Sequence, residues 1–279
     1  YWIIGYDFLF VALTMLIVYF GVQKGIEKSS KILLPLLFII LIISMIRGLT
    51  LDGAEKGLDF LLMPDWGKIS PNSILVALGH AFFTLSLGMG AMMTYGSYLS
   101  KEHDVPNSAI QIVTLDTIVA LIAGIAIFTA VFATGQNPSS GPGLIFHTLP
   151  IVFHKMPGGY FFGIIFFFLL SIAALTSSIS LFEVIISYFT EEYGINRHKA
   201  VIILGAVTFF ISIPSALSFN IMKDFQIFGL TFFDLVDFLA SNVLLPLGGM
   251  LIAIFVYWIW GADKAIKELL SGHKGILNN

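Results

Sequence analysis

The chain has 279 residues, of which 57% are hydrophobic and only 11% charged, with a formal net charge of −3 and no cysteine. An ordinary soluble domain carries about 25% charged residues, so a soluble enzyme, a disordered chain and a nucleic-acid binder with a basic surface are excluded. Disulfides and thiolate chemistry go with the missing cysteines, and what remains is an all-α membrane protein with several spans.

A spanning helix needs about 20 mostly apolar residues. In chain order the candidates are Ile3 to Val22, with Asp7 its only charge, Ile32 to Ile46, Ile74 to Leu99, Ala109 to Thr134, Tyr160 to Phe189, with Glu183 its only charge, Ala200 to Ile221, and Phe225 to Trp260, which carries Asp234 and Asp237. The last is overlong, as in a tilted or kinked helix. Tyr1 leads straight into the first span with no charged leader and no small-residue cleavage site, which is not a signal peptide. The chain is expected to be a piece of a longer protein.

Seven spans place the termini on opposite sides. Nine basic residues (Lys24, Lys28, Lys31, Lys101, Arg197, Lys199, Lys264, Lys267, Lys274) fall on one side and five (Arg47, Lys56, Lys68, Lys155, Lys223) on the other. The positive-inside rule makes the first side cytoplasmic, so Tyr1 is expected outside and Asn279 inside. Two outer connections are long. Thr50 to Ser73 holds acidic residues and Pro64, and Gly135 to Gly159 holds Asn137-Pro138, Gly141-Pro142-Gly143 and a small apolar core, Leu144 to Phe153. Connections of that length serve as lids or are passive. Both readings stand.

The third span is unusual. Gly79, Gly88, Gly90 and Gly96 lie inside it, and Ser86-Leu87-Gly88-Met89-Gly90 sets two glycines beside hydroxyl groups. Glycines in membrane helices often only permit close packing. This cluster also predicts a break in mid-membrane, which is tolerated only where protein encloses the backbone. Broken ends offer carbonyls to a cation and amides to a carboxylate.

The stretch Ala81-Phe82-Phe83-Thr84-Leu85-Ser86-Leu87-Gly88-Met89-Gly90-Ala91, continuing through Thr94-Tyr95-Gly96-Ser97-Tyr98, resembles the sixth helix of the neurotransmitter:sodium symporter family. Ala173-Ala174-Leu175-Thr176-Ser177-Ser178 resembles its eighth helix, Gly261-Ala262-Asp263-Lys264 the end of its tenth, and Leu144 to Pro150 its fourth extracellular loop. The resemblance covers the whole chain and makes the spans family helices four to ten. It implies an inverted-repeat transporter fold with a discontinuous helix, incomplete here. Residues 1–49 would be the last two helices of the first repeat, 50–73 an extracellular loop, 74–260 the second five-helix repeat and 261–279 a cytoplasmic tail.

The resemblance also implies a site. Thr84 would ligate a first sodium ion that touches the substrate carboxylate, although a threonine there can equally bond back to its own helix. Phe83, Ser86 and Met89 would line the substrate pocket, with Phe83 also its outer gate. Asp116 stands where the family carries a sodium-ligating Asn, and a carboxylate suits a hard cation. Its plainer reading is a partner for a polar group on a helix outside this chain. Ala120 replaces the serine of chloride-dependent relatives and His80 the usual Gln, so chloride is not expected. Ala173, Thr176 and Ser177 stand at i, i+3 and i+4 on one helix face and match the second sodium site. As a bare pattern they read as helix-packing glue. Ser177 and Leu181 would complete the substrate pocket, and Asp237 would be an extracellular gate. Asp234 reads as a rim residue and Glu183 as structural, and His147, His154 and His198 fall in loops without metal-ligand spacing. The implied first helix of the family would complete both sodium sites.

The function so implied is sodium-coupled symport of a neutral, hydrophobic or aromatic amino acid by alternating access, in the plasma membrane and among its lipids. The partners are that small molecule and the preceding helices of the same protein. An exchanger or proton-coupled transporter of the same architecture, and a transport-inactive scaffold, are the alternatives. No His/Asp/Glu cluster or Ser-His pairing in the spans points to an enzyme.

Overall fold

The computed structural model describes residues 2–21, 26–138 and 142–272. Tyr1, Val22, Lys24, Gly141, Lys274 and Asn279 lie outside them. The regular secondary structure of the described residues is helical apart from one hairpin of two-residue strands. Its helices are α1 (Trp2–Tyr19), α2 (Lys28–Leu49), α3 (Ala54–Leu62), α4 (Pro71–Thr84), α5 (Ala91–Ser97), α6 (Val105–Ala133), α7 (Leu149–Lys155), α8 (Gly159–Glu192) and α9 (Arg197–Leu217). The hairpin strands β1 (Gln226–Ile227) and β2 (Leu230–Thr231) come next, then α10 (Phe232–Phe238), α11 (Leu245–Ile254) and α12 (Ala262–Leu270). Wider π-turns at Leu239–Leu244 and Phe255–Gly261 join the last three into one 39-residue run.

Six described helical stretches are long and apolar enough to cross a membrane, and they coincide with six of the seven expected spans. The seventh is the interrupted one, divided between α4 and α5. At 1.5 Å per residue the 34 residues of α8 extend about 51 Å, against a hydrocarbon core of about 30 Å.

The chain divides into two compact units. The first comprises residues 1–28, 70–113 and 177–279. Its scaffold is the pair α1 and α9, where Gly205 receives Met15, Phe8 meets Phe209 edge-on and Tyr19 stacks on His198 at 4.2 Å. His198, expected in a loop, thus sits in the first turn of α9, whose start is capped by the Asn196 side chain. Asp7, the lone charge of α1, accepts a 2.6 Å hydrogen bond from Ser212 of α9. Thr231 caps α10, its hydroxyl accepting from the Asp234 amide and donating to the Asp234 carboxylate, which gives the expected rim residue a structural task.

Glu183 is fully buried. Arg197 grips its carboxylate with two nitrogens, at 3.0 and 2.5 Å, and the same guanidinium donates to the Val18 carbonyl in the last turn of α1. A buried carboxylate is tolerable only when paired and hydrogen-bonded, and the fork of arginine matches two carboxylate oxygens at once.

The second unit comprises residues 29–69 and 114–176. Parts of both long connections pack within it. α3 lies along α6, with Gly57 against the backbone of Phe128 and Thr129, and Phe60 on the rings of Phe128 and Phe132. Leu149, Val152 and Met156 of the second connection are buried with Ala130, Val131 and Phe166. Arg47, at the end of α2, donates to the Pro157 carbonyl at 2.9 Å and lies over the Phe162 ring. Neither connection is passive structurally.

The buried ion pair makes a quantitative expectation. Arg197→Ala strands a buried carboxylate and should cost about 3–5 kcal/mol of stability. Adding Glu183→Gln should recover part of that loss, as read by thermal unfolding of the two variants in detergent.

Candidate functional site

The interruption between α4 and α5 starts earlier than its glycines suggest. α4 begins with a reciprocal cap between Ser70 and Ser73 and with Pro71 in its first turn. It ends when the Ser86 amide donates to the Phe83 carbonyl at 3.1 Å and the Leu87 amide donates to Phe82 at 2.8 Å. That pair of bonds is the Schellman termination, which needs a left-handed residue where glycine is usual. Here Ser86 supplies it, at φ +55°. Gly88 and Gly90 continue at φ +78° and +83°, and α5 restarts with the Thr94 amide on the Gly90 carbonyl at 2.9 Å. The motif satisfies two of the carbonyls that a broken helix leaves open, which matters most where water is absent.

Phe83, Thr84, Ser86 and Met89 therefore flank or lie within a non-helical stretch. The Thr84 hydroxyl points back to the Ala81 carbonyl at 3.4 Å. Phe83 is 53% exposed, and Ser86 and Met89 are partly covered. Two tyrosines tie α5 to α8 in the same unit. Tyr95 donates to Ser180 at 3.1 Å and Tyr98 to Glu183 at 2.9 Å. Ser180 is three residues beyond Ser177, so the first unit holds Ser177 and Leu181 as well as the broken segment. Leu181 also borders a cavity of about 210 Å³ with Phe10, Thr14 and Thr208.

Ala173 and Thr176 lie on the part of α8 in the second unit, joined to Ser177 by unbroken helix. The Thr176 hydroxyl donates to the Ala173 carbonyl at 2.9 Å, so two oxygens of the expected set already face each other. Asp116 is half-buried on α6, in the second unit, with Ala120 one turn further on. Asp237, in α10, accepts from Ser241 at 3.3 Å. Among the described residues no group of three or more His, Asp or Glu is placed to hold a metal ion.

Sequence reasoning missed the contacts of Tyr95, Tyr98, Ser180 and Arg197. A signal was present: Glu183 is the lone charge of its span and requires a cation. Arg197 had been counted only toward topology.

Comparison with known proteins decides the family. The model of the Sodium:neurotransmitter symporter family matches residues 6–274. The chain belongs to this family. It is similar to the uncharacterized sodium-dependent transporter YhdH of Bacillus subtilis, 45% identical over 95% of this chain and 58% of that protein. A Haemophilus influenzae sodium-dependent transporter, also uncharacterized, is 44% identical over 97% of this chain and 59% of its own length. A crystal structure of MhsT in complex with L-phenylalanine superposes with a TM-score of 0.87 at 49% identity, covering 96% of this chain and 61% of that one. The chain thus spans about three-fifths of the length of these relatives. It is a multi-pass membrane protein of the transporter class.

The geometry separates two glycines of the third span. Gly96 is helical with open space where a side chain would go, whereas Gly90 has φ +83° and Val184 at 3.1 Å. Gly96→Ala should be neutral or mildly stabilising, and Gly90→Ala should cost about 1–2 kcal/mol from the left-handed backbone alone. Thermal unfolding of the two variants checks the contrast.

Proposed function

We propose that the complete protein is a sodium-coupled symporter for neutral amino acids, working by alternating access in the plasma membrane with residue 2 outside and residue 272 inside. The observation that carries this reading is the mid-span break at Ser86–Gly90, flanked by Thr84 and held to α8 by Tyr95. Membership of a symporter family and similarity to a structure holding L-phenylalanine support it. The broken segment supplies free backbone polarity for the substrate's charged ends. Phe83, Met89 and Leu181 supply an apolar wall and Ser86 and Ser177 hydroxyls. Thr84 and Asp116 each serve as sodium ligands, and Ala173, Thr176 and Ser177, on one continuous helix, as a second set, with the remaining ligands on the helices that precede this chain in its relatives. Phe83 and Asp237 act as outer gates.

No charged group stands among the pocket residues, so a charged substrate side chain would be buried unpaired, at a cost of about 2 kcal/mol or more. Competition uptake should therefore rank leucine and phenylalanine well above lysine and glutamate. Met89 is unbranched and adapts its shape, so tryptophan should compete too, and Met89→Phe should narrow the range to smaller side chains. Equal competition by lysine would contradict the reading of this wall.

Asp116 with Ala120 leads to a second outcome. A fixed negative charge beside sodium takes the place of a bound anion, so uptake should persist when chloride is replaced by gluconate. Asp116→Asn with Ala120→Ser should create a chloride requirement. Uptake that survives removal of sodium would favour the proton-coupled or exchange alternative, and absence of any uptake would favour a scaffold.

A further inference from the structure

The non-helical segment lies on a bed of bare backbone. A side chain added at Gly88 would run into the carbonyl of Leu245, the first residue of α11, and would stand 3.0 Å from the Gly249 amide. The approach is reciprocal. A side chain at Gly248 would overlap the Gly88 carbonyl oxygen, and one at Gly249 would enter the ring of Phe82. All of these residues belong to the first unit. Small residues commonly let two membrane helices approach, but here one of the partners is not a helix. Residues 86–89 lie between the last i to i+4 bond of α4, at Leu85, and the first of α5, at Gly90, and Ser86, Gly88 and Gly90 all have positive φ. The position of such a segment is set by what it leans on.

Building on the function proposed above, we infer that Gly248 and Gly249 are positioning residues for the broken segment. They fix the depth at which Ser86 and Met89 present themselves to the substrate without touching it. Gly248 acts on backbone, the Gly88 carbonyl, which cannot step aside without moving the segment. Gly249 acts on Phe82, whose amide carbonyl accepts the Leu87 hydrogen bond that ends α4. A methyl group at 248 must displace the Gly88 carbonyl by about 1 Å to restore contact distance, and shifts of that size at a binding constellation change rates or affinities on the order of 100-fold. Alanine is also the better helix former, so loss of helix stability is not what the substitution does.

The test uses the complete transporter in proteoliposomes. Gly248→Ala should raise the substrate half-saturation concentration at least tenfold, with the maximal rate changed less than threefold, and should speed amide hydrogen exchange at residues 85–90. Gly249→Ala should show the same defect. Phe82→Leu should relieve it, because the obstacle there is the edge of a side chain, whereas Phe82→Leu should not rescue Gly248→Ala. Unchanged half-saturation and unchanged exchange in Gly248→Ala overturn the inference, as does a Gly249→Ala defect that Phe82→Leu leaves in place. Hydrogen exchange needs no substrate, so it judges the seam even if wild-type protein fails to take up neutral amino acids, a result that would sink the functional reading instead.

Discussion

In hydrocarbon every backbone amide and carbonyl must find its partner inside the protein. A helix meets that demand by itself, and a break in one does not. The rest of this structure can be read as the means of affording one break. The Ser86 turn satisfies the carbonyls of Phe82 and Phe83, Gly88 lies flush on the backbone of α11, and Tyr95 and Tyr98 fasten the restarted helix to α8.

The fastening point has its own support. Tyr98 bonds to a carboxylate that is fully buried, and that carboxylate is held by Arg197, which in turn donates to the end of α1. The charge needed to anchor α5 is thus neutralised by a residue that begins α9 and closes α1. One guanidinium joins three elements because its donors diverge in a plane. In the second unit Arg47 plays a comparable part, joining the end of α2 to the Pro157 turn.

Chemistry at the proposed sites is correspondingly mild. The groups proposed there are hydroxyls, carbonyls and single carboxylates, oxygen donors of the kind that suit a hard cation. In the structure the Thr176 hydroxyl donates to the Ala173 carbonyl, a local bond of the kind common for threonine in helices. Reversible binding suits a transporter, which must release what it binds.

By itself the sequence determined the class, the spans and the existence of a break. Charge scarcity and apolar runs of about 20 residues are local properties, and a bilayer leaves helices as the natural form for them. The motif around Ser86 was legible for the same reason, and so was the face formed by Ala173, Thr176 and Ser177, because helical spacing is fixed. Tertiary structure alone decided where the helix stops. The left-handed residue that ends α4 is Ser86, ahead of the left-handed Gly88 and Gly90, and the turn is held by bonds to Phe82 and Phe83 and by the seat of Gly88 on α11. It also decided that the second connection is core, because burial of Leu149 and Val152 depends on α6 and α8 packing against them. The partner of Glu183 was hidden too. Arg197 is only 14 positions away, but a hydrogen bond is a matter of direction in space, and the turn that brings α9 back beside α8 is what aims it.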